Sequence, residues 1–126
     1  MDRALKNKPK NNLSLLQYKV TQEGATEPAF SHKGFEKDIK VFVCVCCGCK
    51  LFKIENKFES GSGWPSFSSP YSSEVITENR DESYGMIRTE VKCRKCNAHL
   101  GHVFEDGPEP TGFRYCINGV AIDGKK

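Results

Sequence analysis

No stretch of this 126-residue sequence is apolar for long enough to cross a bilayer, which takes about 20 residues, and no apolar h-region follows its basic start. A membrane span and a secretory leader are therefore not expected. Repeats and low-complexity tracts are also missing, which removes the repeat architectures. An excess of one charge sign is missing from most of the chain. The net charge of +3 comes from Arg3, Lys6, Lys8 and Lys10 against Asp2, and the remainder is balanced, so there is no electrostatic case for a nucleic-acid partner. Tryptophan is nearly absent: Trp64 is the only one. An even cysteine count is lacking too. Seven cysteines without an export signal argue against a disulfide framework and for a reducing compartment, most simply the cytoplasm.

The composition that is present, 37 % hydrophobic and 28 % charged, is that of a globular protein. Residues 1–12 read as a disordered basic tail, with little to support a transit peptide, and residues 13–126 as a single domain. Leu13, Leu16, Tyr18 and Val20 predict a short helix over 13–22, with Ser14 as N-cap and Gly24 as stop. β-Branched and aromatic runs predict strands at 40–44, 49–52, 75–77, 86–93, 98–104 and 113–120, punctuated by glycine and proline. The expectation is a helical cap on a small antiparallel β domain.

Four cysteines form two C-x-x-C pairs, Cys44/Cys47 and Cys93/Cys96, the ligand spacing of a zinc ribbon. Cys46 and Cys49 make a competing pair. Gly48 after Cys47 and Asn97 after Cys96 tolerate the tight turn a knuckle needs, whereas Lys50 after Cys49 suits it less, so Cys44, Cys47, Cys93 and Cys96 are assigned to one structural Zn2+. Four thiolates leave the ion no open position, which excludes a zinc-dependent hydrolase.

Cys116 belongs to neither pair. In Arg114-Tyr115-Cys116-Ile117-Asn118 the period of two sets Arg114, Cys116 and Asn118 on one strand face, an arginine to favour the thiolate and an amide to donate a hydrogen bond. His99 and His102 supply imidazoles for acid–base chemistry, and Trp64, among two glycines and a proline, suggests a loop presenting an indole to a small apolar ligand. The competing reading is a zinc-ribbon binding module using Lys92, Arg94 and Lys95, which leaves Arg114, Cys116 and Asn118 without a purpose.

Taken in order, Gln17–Gln22, Thr26-Glu27-Pro28, the Cys44–Cys47 knuckle with Leu51-Phe52, the 57–67 run KFESGSGWPSF, Val91-Lys92-Cys93, the 99–104 segment, Asp106-Gly107-Pro108 and Arg114–Asn118 closely resemble the methionine-R-sulfoxide reductases of the B type. The resemblance implies two packed antiparallel sheets with a short N-terminal helical cap. It implies reduction of the R epimer of methionine sulfoxide in proteins or peptides; a monomer is expected. Cys116 would be the nucleophile and Arg114 its electrostatic partner. His99, His102 and Asn118 would orient and protonate the sulfoxide oxygen, Trp64 would pack on the substrate methyl, and Phe104 and Asp106 would be neighbours. Many relatives carry a resolving cysteine where this chain has Ser62, so regeneration must use an external thiol, thioredoxin or a small thiol, or else one of the unassigned Cys46 and Cys49; direct external reduction is the expectation.

Overall fold

The computed structural model describes residues 13–126, so the predicted tail lies outside the described residues. Helix α1 spans Leu15–Glu23. It starts with a capping box: Ser14 Oγ accepts from the Gln17 N–H (3.1 Å) while Gln17 Oε1 accepts from the Ser14 N–H (2.8 Å). It stops at Gly24, whose φ of 74° is the left-handed cap that glycine adopts most readily. Its buried residues, Val20 and Thr21, pack on the domain, whereas Leu15 and Leu16 face solvent.

Nine strands follow: β1 Val41–Cys44, β2 Lys50–Lys53, β3 Lys57–Phe58, β4 Ser66–Phe67, β5 Ile76–Asp81, β6 Arg88–Cys93, β7 His99–Phe104, β8 Arg114–Ile117 and β9 Ile122–Lys125. They form two antiparallel sheets, one ordered β2-β1-β9 and the other β3-β4-β8-β7-β6-β5. The fold is the expected one, mainly β with one short helix. The sheets meet through aromatic rings. Phe52 of the small sheet stacks on Phe67 of the large one at 4.3 Å between centroids, and Phe42 meets Phe67 edge-on at 5.3 Å. All three are fully buried, each contributing roughly 1.5–3 kcal/mol.

Several strands differ from expectation. β5 continues to Asp81 because it is an edge strand whose Glu78, Asn79 and Arg80 face water while their backbone pairs with β6. The segment predicted as a strand over 113–120 ends at Ile117 and turns into a one-turn 3-10 helix at Gly119–Ala121. Short β3 and β4, and β9 with its Asp123 and Gly124, carry too little β-propensity to be read from sequence.

One irregularity aligns the two histidines. Between β6 and β7, Val91 faces Gly101 but Lys92 faces His99, so β7 has one extra residue, Leu100, at a bulge. Residues three apart on a regular strand point to opposite faces. The bulge turns His99 and His102 toward each other, with ring centroids 5.5 Å apart.

Candidate active site and metal centre

The β1–β2 and β6–β7 hairpins each end in a cysteine knuckle of the same construction. Gly48 N–H donates to Cys44 C=O (2.8 Å) and Asn97 N–H donates to Cys93 C=O (2.7 Å). The residues that follow the second cysteines, Gly48 and Asn97, have φ of 80° and 67°, as expected from their place in the knuckles. The two knuckles, one from each sheet, bring the sulfurs of Cys44, Cys47, Cys93 and Cys96 within 4.8 Å of one another, a group that can hold a metal ion.

The donor set fits zinc. Sulfurs at tetrahedral corners about 2.3 Å from an ion lie about 3.8 Å apart. Cys44–Cys96 and Cys47–Cys93 are each separated by 3.6 Å. Hydrogen bonding with Cys46, Cys47 and Cys93 pushes the Cys44 thiol far up, while hydrogen bonds with Cys44 pull Cys47 and Cys93 down. The two remaining thiols flank the tetrad. Cys46 interacts with Cys44 and Cys96, and Cys49 with Cys93 and Cys47.

The other thiol lies on β8, where Cys116 faces Ser66 of β4 on one side and His102 of β7 on the other. It opens into a cavity of about 230 Å³ lined by Cys116, His102, Arg114, Asn118, Trp64 and Phe104, together with Thr26, Ser62, Arg88 and Gly101. Six of the eight site residues singled out from sequence thus meet around one thiol. The other two stand just behind them. His99 touches the His102 ring, and Asp106 holds Arg114 through two hydrogen bonds (2.9 and 3.2 Å).

Each group in the cavity has a set orientation. The guanidinium of Arg114 lies 4.6 Å from the Phe104 ring centroid and interacts with Cys116. Burial pushes the Cys116 thiol up, opposed by a hydrogen bond from Ser62 and by the charge of Arg114. Ser62 Oγ is 3.9 Å from Cys116 Sγ and belongs to a hydroxyl chain with Ser60 and Ser66. His102 Nε2 pairs with Asp81 Oδ2 at 2.8 Å, and this bond is the main reason the Asp81 carboxyl is held well below its ordinary value. His99 Nδ1 pairs with Glu90 Oε2 at 2.7 Å, while its buried Nε2 has no hydrogen-bond partner among the described residues. Burial lowers the His99 pKa, with Glu90 opposing.

Asn118 makes its hydrogen bonds to the backbone: Nδ2 donates to Leu100 C=O (2.9 Å), and Oδ1 accepts from the Glu27 N–H (2.9 Å). Glu27, which the sequence showed only as part of the Thr26-Glu27-Pro28 motif, had no role assigned to it there. It is fully buried, its carboxylate accepts from the N–H groups of Gly119 (2.9 Å) and Val120 (3.1 Å), and its carbonyl accepts from Trp64 Nε1 (2.9 Å). One residue therefore ties the indole, the amide and the turn after β8 together. A glutamate before a proline gives no hint of burial. Asp81 and Glu90 were missed for the same reason, since only the strand pairing shows them beside the histidines.

The whole described region has known relatives. Residues 13–126 match the SelR domain. Peptide methionine sulfoxide reductase MsrB of Thioalkalivibrio sulfidiphilus is 50 % identical over 117 residues, which is 92 % of this chain and 85 % of that protein. The MsrB of Hahella chejuensis is 54 % identical over 107 residues, 84 % of this chain and 77 % of its own length. That of Acinetobacter baumannii is 49 % identical over 114 residues, 90 % of this chain and 82 % of the relative.

Proposed function

Since the chain belongs to the SelR-domain family of B-type peptide methionine sulfoxide reductases, we propose that it reduces the R epimer of methionine sulfoxide with Cys116 as nucleophile and an external thiol as reductant. The observation that carries this reading is the single cavity in which the Cys116 thiol, His102, Arg114, Asn118 and the Trp64 indole converge.

The chemistry follows from that arrangement. The Cys116 sulfur attacks the sulfoxide sulfur while the oxygen takes up a proton, since a sulfoxide oxygen leaves only when protonated. His102 is the proton source lining the cavity, and its pairing with Asp81 fixes the ring. His99 stands behind it as a second imidazole. Oxygen passes to sulfur: methionine is released and Cys116 becomes a sulfenic acid. An external thiol condenses with it, expelling water, and a second thiol displaces the mixed disulfide to restore the Cys116 thiol.

Arg114, steadied by Asp106 and the Phe104 ring, favours the thiolate against the burial that opposes it. Asn118 acts as a strut holding the end of β8 to β7, not as a proton donor, because its amide is engaged with backbone. A methyl seated on the indole directs the oxygen toward the polar wall, which is the basis for selecting one epimer.

Direct external reduction is supported by Ser62, which places a hydroxyl where a resolving sulfur would stand, and by the contacts of Cys46 and Cys49, which run to the metal-ligand thiols. Cys44, Cys47, Cys93 and Cys96 would hold one structural zinc, which cross-links the two sheets and supplies no chemistry to the cavity. Residues 13–126 act as one domain, in a monomeric cytoplasmic enzyme whose partners are oxidised methionine residues and thioredoxin or a small thiol. No helix among the described residues is long and apolar enough to cross a membrane.

The test uses dabsyl-methionine-R-sulfoxide and its S epimer, separately, with dithiothreitol. Turnover of the R epimer alone, lost in Cys116→Ser, is expected. Failure of the folded, zinc-loaded protein to reduce either epimer would refute the reading.

A further inference from the structure

The cavity at Cys116, of about 230 Å³, has room for a side chain and little more. A polypeptide carrying the sulfoxide must therefore run outside it. Trp64, in its wall, also lines a second and larger cavity of about 500 Å³. The floor of this groove is apolar: Phe42 and Ile39 from the core, Phe35 meeting Phe42 edge-on at 4.8 Å, and the half-buried Phe58.

At the rim stands Phe30, 76 % exposed. Its φ of 63° lies in the left-handed region, which is uncommon for a bulky side chain. The strain is held in place by the Phe30 N–H, which donates to Gly63 C=O at 2.7 Å, and by the absence of a side chain at Gly63, where a Cβ would lie 2.8 Å from the phenyl ring. An aromatic ring is thus held exposed by a strained backbone, across Gly63 from the Trp64 indole. The charged rim carries both signs, with Lys57 paired to Glu59 at 3.5 Å, so it offers no preference for a strongly charged partner. β3, which borders the groove, is one of the two edge strands of the large sheet and can pair with an extended chain.

We propose that this groove binds the polypeptide flanking the oxidised methionine and favours substrates with an aromatic or branched aliphatic residue beside the sulfoxide. The proposal rests on the reading of the Cys116 cavity as the site of reduction.

The test compares acetyl-Leu-Met(R-O)-Leu-amide, acetyl-Gly-Met(R-O)-Gly-amide and acetyl-methionine-R-sulfoxide, using the full chain with dithiothreitol. Phe30→Gly is the informative variant, because glycine suits the observed φ and the change removes the ring without adding backbone strain. The expected result is a kcat/KM about tenfold higher for the Leu peptide than for the Gly peptide, mostly through KM. The preference should fall to near unity in Phe30→Gly, with acetyl-methionine-R-sulfoxide unaffected. Equal turnover of both peptides by the native protein, or a preference surviving in the variant, overturns the proposal. So does a variant that keeps the peptide preference but shows a raised KM for thioredoxin, which would make the groove the reductant's. The Cys116→Ser protein separates this from the reading of the activity, since Trp64, the sole tryptophan, reports peptide binding by fluorescence without turnover. Tighter binding of the Leu peptide, abolished by Phe30→Gly, sustains the groove even if no sulfoxide is reduced. Equal binding of the two peptides overturns it.

Discussion

Cys116 sits between two opposing influences. Burial holds its proton on, and Ser62 with Arg114 draws it off. Removing either helper should therefore raise its pKa. In Arg114→Met and in Ser62→Ala, alkylation of Cys116 by iodoacetamide at pH 8, followed by mass spectrometry of its peptide, should slow by roughly three- to tenfold, and the rate should recover at high pH. A rate indifferent to both changes would mean that neither group governs the thiol. His99 gives a prediction of opposite pH sense. Its folded pKa lies below the unfolded value of about 6.5 because it is buried, so below that pH the unfolded chain binds more protons. The stability tied to a neutral His99 is complete above about pH 6.5 and is lost as pH falls toward the folded pKa. The loss in urea midpoint between pH 7.5 and 5.5 should be smaller in His99→Gln than in the native protein. An equal loss in the two would place the acid sensitivity elsewhere.

The bulge in β7 and the Glu27 strap act on whole elements. Gly101 lies next to Leu100 and directly opposite Ile117, where an added Cβ would meet the backbone of Cys116 and Ile117. Backbone cannot give as a side chain can, so Gly101→Ala should destabilise by about 3 kcal/mol or abolish folding, as urea denaturation would show. Glu27→Ala leaves the N–H of Gly119 buried without its carboxylate and should cost roughly 2–4 kcal/mol. Because the Glu27 segment also holds Trp64 and Asn118, that variant should lose turnover of the sulfoxide beyond what its unfolded fraction explains. Both devices escape sequence reading. A bulge depends on register between strands, and Glu27 is buried only because two N–H groups some ninety residues away converge on its carboxylate. The helix, by contrast, was legible to within a residue or two, since Ser14, Gln17 and Gly24 are local caps.

At the scale of the molecule, the two sheets are joined at one end by the cysteine tetrad and in the middle by Phe42, Phe52 and Phe67. A domain of this size gains much from such a clamp. Stripping metal with a chelator should lower Tm by roughly 10–20 °C, and Cys96→Ser should do the same without chelator. A Tm unmoved by exhaustive metal removal, checked by elemental analysis, would show that the aromatic core suffices alone. The amino-acid sequence by itself determined the knuckles, because ligand spacing and the Gly48 and Asn97 turns are local chemistry, and it determined which face of β8 carries Arg114 and Cys116, because strand alternation is local too. It also carried the ordered motifs that mark the family. Tertiary structure alone decided that His99 and His102 share a face, that Glu27 is buried, that Asn118 braces backbone, and that β9, weak in intrinsic propensity, becomes a strand beside β1. Each of these depends on partners distant in sequence, whose register and burial no local pattern encodes.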